Sequence, residues 1–282
     1  MASILGSIAP TTVTGQELFI VIKVFFDGGN KADSTQFKVL TLAGYAATDA
    51  MWGRLEKAWS STLSLHGAPY MHMKEAINLS GSFTLANGWK RTKVGELLKD
   101  LISVIGTFKK VPMRAIACTV LLQDYQSVRK KGIELPPVEQ LCVTQCIGVA
   151  LVWYTGLPGT HNSSHLPEKS VDLHFDRGEP FRAHASDAWN NKTLRMRSSF
   201  KAIRQISESA MKSTPGLQMA DMLAWAHNRE YGKGGHEALC HAIKSAIPID
   251  SRILKLPELA DVDVAKLNKF TDLGLPPRKP MR

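Results

Sequence analysis

The stretch Thr214-Pro215-Gly216-Leu217-Gln218-Met219-Ala220-Asp221-Met222-Leu223-Ala224-Trp225 constrains this chain more than any other. Pro-Gly marks a turn and a helix start, and the residues after it are apolar except for Gln218 and Asp221. A helix of that composition is a buried one. A lone carboxylate among Ala, Met and Leu is costly unless a cation, backbone donors or a metal ion answers it. An ion pair with Arg204 or Arg229 is the plainest answer. The chain must therefore fold so that an interior helix carries one acid to a place built to receive it.

Two further acids stand where strands read as ending. Asp27 follows the β-branched and aromatic run Leu18–Phe26, and Asp176 follows Ser170–Phe175. A strand end brings its side chain to the rim of a sheet, and Gly28-Gly29 would let a second backbone or a phosphate come close to Asp27. The alternative for Asp27 is an Asx-turn closing a hairpin. Glu179 either points to the same rim or serves the first turn of the next helix, where an acid suits the dipole. Carboxylates gathered without a cation repel, and at least one is protonated more readily than usual. Hard oxygen ligands with no cysteine beside them favour Mg2+ or Mn2+. Tyr70-Met71-His72-Met73-Lys74-Glu75 reads as a short extended piece with His72 and Lys74 on one face, suited to a proton shuttle and a phosphate contact. Glu75 is then a fourth ligand. A satisfied histidine beside a sheet is the plainer reading of His72.

Around these acids the pattern alternates. Residues 1–16 read as a flexible leader, 17–270 as one α/β domain and 271–282 as a C-terminal tail. Leu18–Phe26 and Phe37–Ala47 form a hairpin, and Thr48 or Asp49 caps a helix with Met51, Trp52, Leu55, Trp59 and Leu63 at spacings of three and four. A helix over 87–108, a strand over 111–122, a long helix opened by Pro136-Pro137 and a loop over 156–169 follow. The strand ending at Phe175, a helix over 181–191, a strand over 200–207, the helix of Asp221 and a smaller helix over 236–247 complete the domain. The expectation is a central mixed sheet flanked by helices.

The net charge of +10 favours a polyanionic partner, nucleic acid before an anionic membrane. Arg177, Arg182, Lys192, Arg195, Arg197, Lys201 and Arg204 lie in one run opposed only by Glu179 and Asp187. Beside Asp176 such a run could track a phosphate backbone, with Phe181 and Trp189 available to stack on bases; a solvated face and core packing are the plainer readings. Cys118, Cys142, Cys146 and Cys240 form no C-x-x-C pair, so small buried thiols are expected rather than zinc. No apolar run is long enough to span a bilayer, no secretory signal is read at the N-terminus, and a cytoplasmic location is the default.

Phe25-Phe26-Asp27-Gly28-Gly29-Asn30, His72-Met73-Lys74-Glu75, Phe175-Asp176-Arg177-Gly178-Glu179-Pro180-Phe181 and the Leu217–Trp225 segment, in this order, resemble the prokaryotic DUF3800 family. That resemblance implies an RNase H-like fold and a metal-dependent, nuclease-type acidic site. Carried over, it makes Asp27, Asp176 and Asp221 the metal-holding core, with Glu75 and Glu179 secondary. The sequence departs at Gly28, where many members carry Glu, which leaves open one ion, two, or a degenerate site. Three readings follow: a Mg2+- or Mn2+-dependent nuclease, a nucleic-acid-binding or adaptor protein that keeps only the fold, and a hydrolase of a small phosphorylated metabolite.

Overall fold

A computed structural model describes residues 21–29, 38–133, 135–155, 170–190 and 201–254. The proposed leader, the loop over 156–169 and the tail, together with Lys192, Arg195 and Arg197, lie outside these residues. What is described is a mixed α/β fold with one six-stranded sheet between two layers of helices.

Strands β1 (Ile22–Gly29), β2 (Val39–Thr48) and β3 (Met113–Leu121) form an antiparallel meander. On the far side of β1, β4 (Val171–Asp176) runs parallel to it, and β5 (Ile203–Ser209) runs parallel to β4. At the other edge β6 (Ile249–Leu254) pairs parallel to β3, so the strand order is β5-β4-β1-β2-β3-β6. The helices in chain order are α1 (Asp49–His66), α2 (Met73–Asn78), α3 (Arg91–Thr107), α4 (Leu122–Lys130), α5 (Val138–Thr155), α6 (Pro180–Asn190), α7 (Pro215–Asn228) and α8 (Glu237–Ser245).

Successive side chains of a strand point to opposite faces, and that period sorts the core into two. Val24, Phe26, Leu173 and Phe175 pack with α4, α5 and α6. Phe25, Ala43, Tyr45 and Ala117 pack with α1, α3, α7 and α8. The indole of Trp52 on α1 donates to the Lys23 carbonyl at 2.8 Å, which ties that helix to β1. Thr48 caps α1 as expected, its hydroxyl accepting from the Met51 N–H. The same period places Asp27 with Phe25, and Asp176 with Asp172 and His174. Both acids therefore belong to the face that α7 covers.

Several elements differ from the sequence reading. Residues Met73–Asn78 are helical, so His72 is the residue before the helix and Lys74 sits exposed on its first turn. His72 and Lys74 are thus not neighbours on one face of a strand. Strand β1 continues through Asp27 to Gly29, with Asp27 opposite Ala43, so Asp27 does not end the strand. The rim forms because β4 stops pairing with β1 at Phe26 and Phe175. Helix α5 is buried on one side and leaves Val152 72% exposed, where an all-round apolar sequence suggests complete packing. Cys118, Cys142, Cys146 and Cys240 are free buried thiols, as their spacing suggests.

Asp172 is buried on the α7 face of β4, and Arg204 of β5 answers it with two hydrogen bonds, one from Nε at 2.7 Å and one from Nη2. Removing one member of a buried pair costs more than removing both, because a charge is left without a partner. Arg204→Met is expected to destabilise the fold by about 3 kcal/mol, and Arg204→Met combined with Asp172→Leu should recover most of it. Chemical denaturation of the two variants checks this. Equal losses would mean that the guanidinium acts only through packing.

Candidate functional site

Three elements meet at one rim of the sheet. Asp27 lies one residue beyond the last β1–β4 pair, and Asp176 lies at the same level on β4. Helix α7 crosses β1 and β2 on the same face and carries Asp221 at its middle. The close approach of this helix depends on Gly216, where a Cβ would stand 2.5 to 2.9 Å from the Phe25 ring.

Asp27 is 4% exposed. Burial raises its pKa well above the carboxylate range, and the negative charges of Asp221, Glu179 and Asp176 raise it further. The Asp221 carboxyl is pushed up to about 6, first by desolvation. His72 and the Met73 N–H hold it down, while the charges of Asp176 and Glu75 add to the rise. The four acids Asp27, Asp176, Glu179 and Asp221 thus act on one another through a poorly solvated region. Among the described residues no Lys or Arg forms a salt bridge with Asp27, Asp176 or Asp221. The two arginines proposed for Asp221 are used elsewhere. Arg204 holds Asp172, and the Arg229 guanidinium lies 5.4 Å from the centre of the Trp225 ring.

Backbone donors answer two of the acids. Asp221 Oδ2 accepts from the Met73 N–H at 2.6 Å, at the start of α2, and Asp176 Oδ1 accepts from the Met211 N–H at 2.9 Å. Glu75 is turned into its own network. It accepts from Tyr70 Oη at 2.6 Å and from the Ser82 N–H at 3.2 Å, and His72 Nδ1 lies 3.2 Å from its other oxygen. Burial alone would raise the Glu75 pKa, but these contacts outweigh it and hold the group below the usual range. Glu75 therefore stands as the orienting partner of His72 more than as a free ligand. Among the described residues, no three His, Cys, Asp or Glu side chains are gathered as a ready-made metal-ligand set. What the rim offers a hard cation is its donor chemistry: carboxylate oxygens, low solvation and negative charge without a protein counter-ion.

Gly28 and Gly29 do not open a gap for a ligand. A Cβ at Gly28 would overlap the Phe181 ring and stand 2.6 Å from Glu179 Oε2, and one at Gly29 would overlap the Asn228 side chain. The two glycines let α6 and the end of α7 close against β1. Phe181 is fully buried and is a core residue, not a stacking platform, and Trp189 packs partly buried against the same core. Arg177 and Arg182 are exposed beside Asp176, and Arg182 faces Glu208 at 3.8 Å. The side chain missed by the sequence reading is Gln218, one turn before Asp221 and 2% exposed. A polar residue repeated at helical spacing in an apolar stretch is the signal that could have found it.

No family model, no curated protein and no solved structure matches this chain. Among the described residues no helix is long and apolar enough to cross a membrane.

Proposed function

We propose that this protein is a Mg2+- or Mn2+-dependent nuclease whose metal is held by Asp27, Asp176 and Asp221. The observation that carries this reading is the convergence of three acids from β1, β4 and α7 at one poorly solvated rim without a lysine or arginine bridging to them. The RNase H-like description of the fold and the resemblance to DUF3800 belong to the same proposal. An antiparallel meander extended by parallel strands on the β1 side, with acids at that junction, supports both. A hard divalent ion bound there would supply an activated water and charge stabilisation for phosphodiester hydrolysis. Glu179 borders the same acids. His72, oriented by Glu75, is placed to handle a proton, and Lys74, Arg177 and Arg182, with Lys192, Arg195 and Arg197, would position the polyanion.

The adaptor reading, a nucleic-acid-binding protein with a degenerate site, is favoured by one observation. The space beside Gly28 is filled by Phe181 and Glu179, so a further ligand has no room there. The two readings separate by assay. Protein freed of contaminating nucleases is expected to cut labelled RNA or DNA with Mn2+ and to stop with EDTA. Binding of the strands without cleavage at any metal concentration would leave only the adaptor. Arg177→Ala is expected to lower the slope of log K against log salt by about 1, the signature of one phosphate contact. An unchanged slope would return Arg177 to the solvated surface.

A further inference from the structure

Gln218 makes four hydrogen bonds, the full capacity of a side-chain amide within one plane. Its Oε1 accepts from the Trp59 indole N–H at 2.9 Å and from the Met71 N–H at 2.9 Å. Its Nε2 donates to the Met211 carbonyl at 3.1 Å and to the Lys212 carbonyl at 3.2 Å. The partners fix the orientation of the amide without ambiguity, since two can only donate and two can only accept.

Three of these four partners are backbone groups in the two segments that serve the acids. Met71 lies two residues before Met73, whose N–H meets Asp221. Met211 gives its carbonyl to Gln218 and its N–H to Asp176. One buried amide on α7 thus links the approach to α2, the short turn Met211–Ser213 and the helix that bears Asp221 itself. Lys212, whose carbonyl Gln218 also holds, lies with its ammonium 4.7 Å from the centre of the Tyr70 ring, so the two segments also meet outside the amide.

We propose that Gln218 is a positioning residue for the acidic rim, holding the Met73 and Met211 amides where they orient the carboxylates of Asp221 and Asp176. This rests on the metal-site reading above for its functional consequence, but the geometric claim stands by itself. A glutamine that served the core alone would need only its contact with Trp59. The other three bonds run to main-chain groups on either side of the acids, and they set how far those acids can turn.

The test uses three variants of the full chain. Gln218→Met keeps the length of the side chain and loses all four bonds. Gln218→Glu keeps both acceptor contacts and loses the two donated bonds to Met211 and Lys212. Trp59→Phe removes only the indole contact and serves as the control for general loosening. Hydrogen exchange read at single amides should rise at least tenfold at Met73 and Met211 in Gln218→Met, and at Met211 before Met73 in Gln218→Glu. Trp59→Phe should leave both within about twofold. Mn2+ affinity, measured by titration, should fall tenfold or more in both Gln218 variants and hold in Trp59→Phe. If Gln218→Met does not fold, Gln218→Glu carries the comparison. Unchanged exchange at both amides in a folded Gln218 variant overturns the positioning role. Wild-type protein that binds no Mn2+, with exchange altered as expected, overturns the metal-site reading and leaves the positioning role intact.

Discussion

Asp221→Asn is expected to raise the stability of the metal-free protein above neutral pH while removing metal-dependent cleavage. The two effects share one cause. The Asp221 carboxyl is pushed up to about 6, from an ordinary value near 3.8, chiefly by desolvation. A group whose folded pKa is raised contributes stability below its unfolded pKa and loses it as pH rises through the folded one. Between about pH 4 and pH 6 the folded state therefore gives up stability that Asn, which never ionises, retains. A shift of this size corresponds to roughly 3 kcal/mol. The part kept by Asn is smaller, about 1–2 kcal/mol, because the bond from Met73 is weaker to an amide than to a carboxylate. Mn2+ should reverse the order, since an ion that binds only the folded state stabilises it by about 2.7 kcal/mol at one hundred times its Kd. Cleavage should fall on the order of a thousandfold, the scale of losing a preorganised electrostatic contact in a dry site. Melting curves at pH 5 and pH 8, with and without Mn2+, and a cleavage assay read all of this. Equal cleavage by the variant would sink the nuclease proposal. An unchanged melting difference between the two pH values would show that Asp221 is solvated.

The strands and helices that build this rim were legible because each carries its own local signal. Phe25, Phe26 and their neighbours read as a strand from β-branched and aromatic content, and α7 announces itself with Pro215-Gly216. That Asp27 and Asp176 share a face follows from the two-residue period once the strands are known to be parallel neighbours. The register itself was not legible, since it is set by pairing over more than 140 residues of chain. Strand β6 was missed because Ile249-Asp250-Ser251-Arg252-Ile253-Leu254 is half polar and is a strand through its pairing with β3. Helix α4 was missed because it starts directly at the end of β3, at Leu122, without a side-chain cap to mark it.

At the site the same division holds. The identities of the acids were visible, but their partners were not. Arg204 sits in a basic run that reads as a phosphate track, yet its partner Asp172 hides inside an apolar strand and draws the guanidinium onto the sheet. The Gly28-Gly29 pair reads as an opening, and only packing reveals that Phe181, Glu179 and Asn228 occupy it. Glycine states that something comes close and does not state what. Gln218 needed the longest reach of all, because its partners lie on α1, before α2 and in the turn before α7.

His227 gives the largest expected effect on acid stability, with a sign opposite to that of Asp221. Its ring is 1% exposed near the end of α7, and among the described residues neither nitrogen has a hydrogen-bond partner. Burial lowers its pKa to about 4, the charge of Lys244 lowers it further, and Glu230 opposes them. The Tyr231 ring lies 5.9 Å away, centre to centre. A histidine held neutral by the fold binds fewer protons folded than unfolded between about pH 4 and pH 6.5. Its contribution is complete above that window and is lost as pH falls through it, by about 3 kcal/mol in all. Asp221 works over nearly the same window in the other direction, so the two slopes largely cancel in the wild-type chain. Single replacements should expose them. His227→Leu is expected to lose the histidine slope and become relatively more stable toward pH 4, whereas Asp221→Asn should become relatively more stable toward pH 8. Denaturant midpoints for wild type and both variants at pH 4.5, 6 and 8 make the comparison. A His227→Leu profile parallel to that of wild type would mean the imidazole finds water or a partner when it charges. Crossing profiles would show that this helix carries two buried titrating groups, one that resists acid and one that resists base, within two turns of each other.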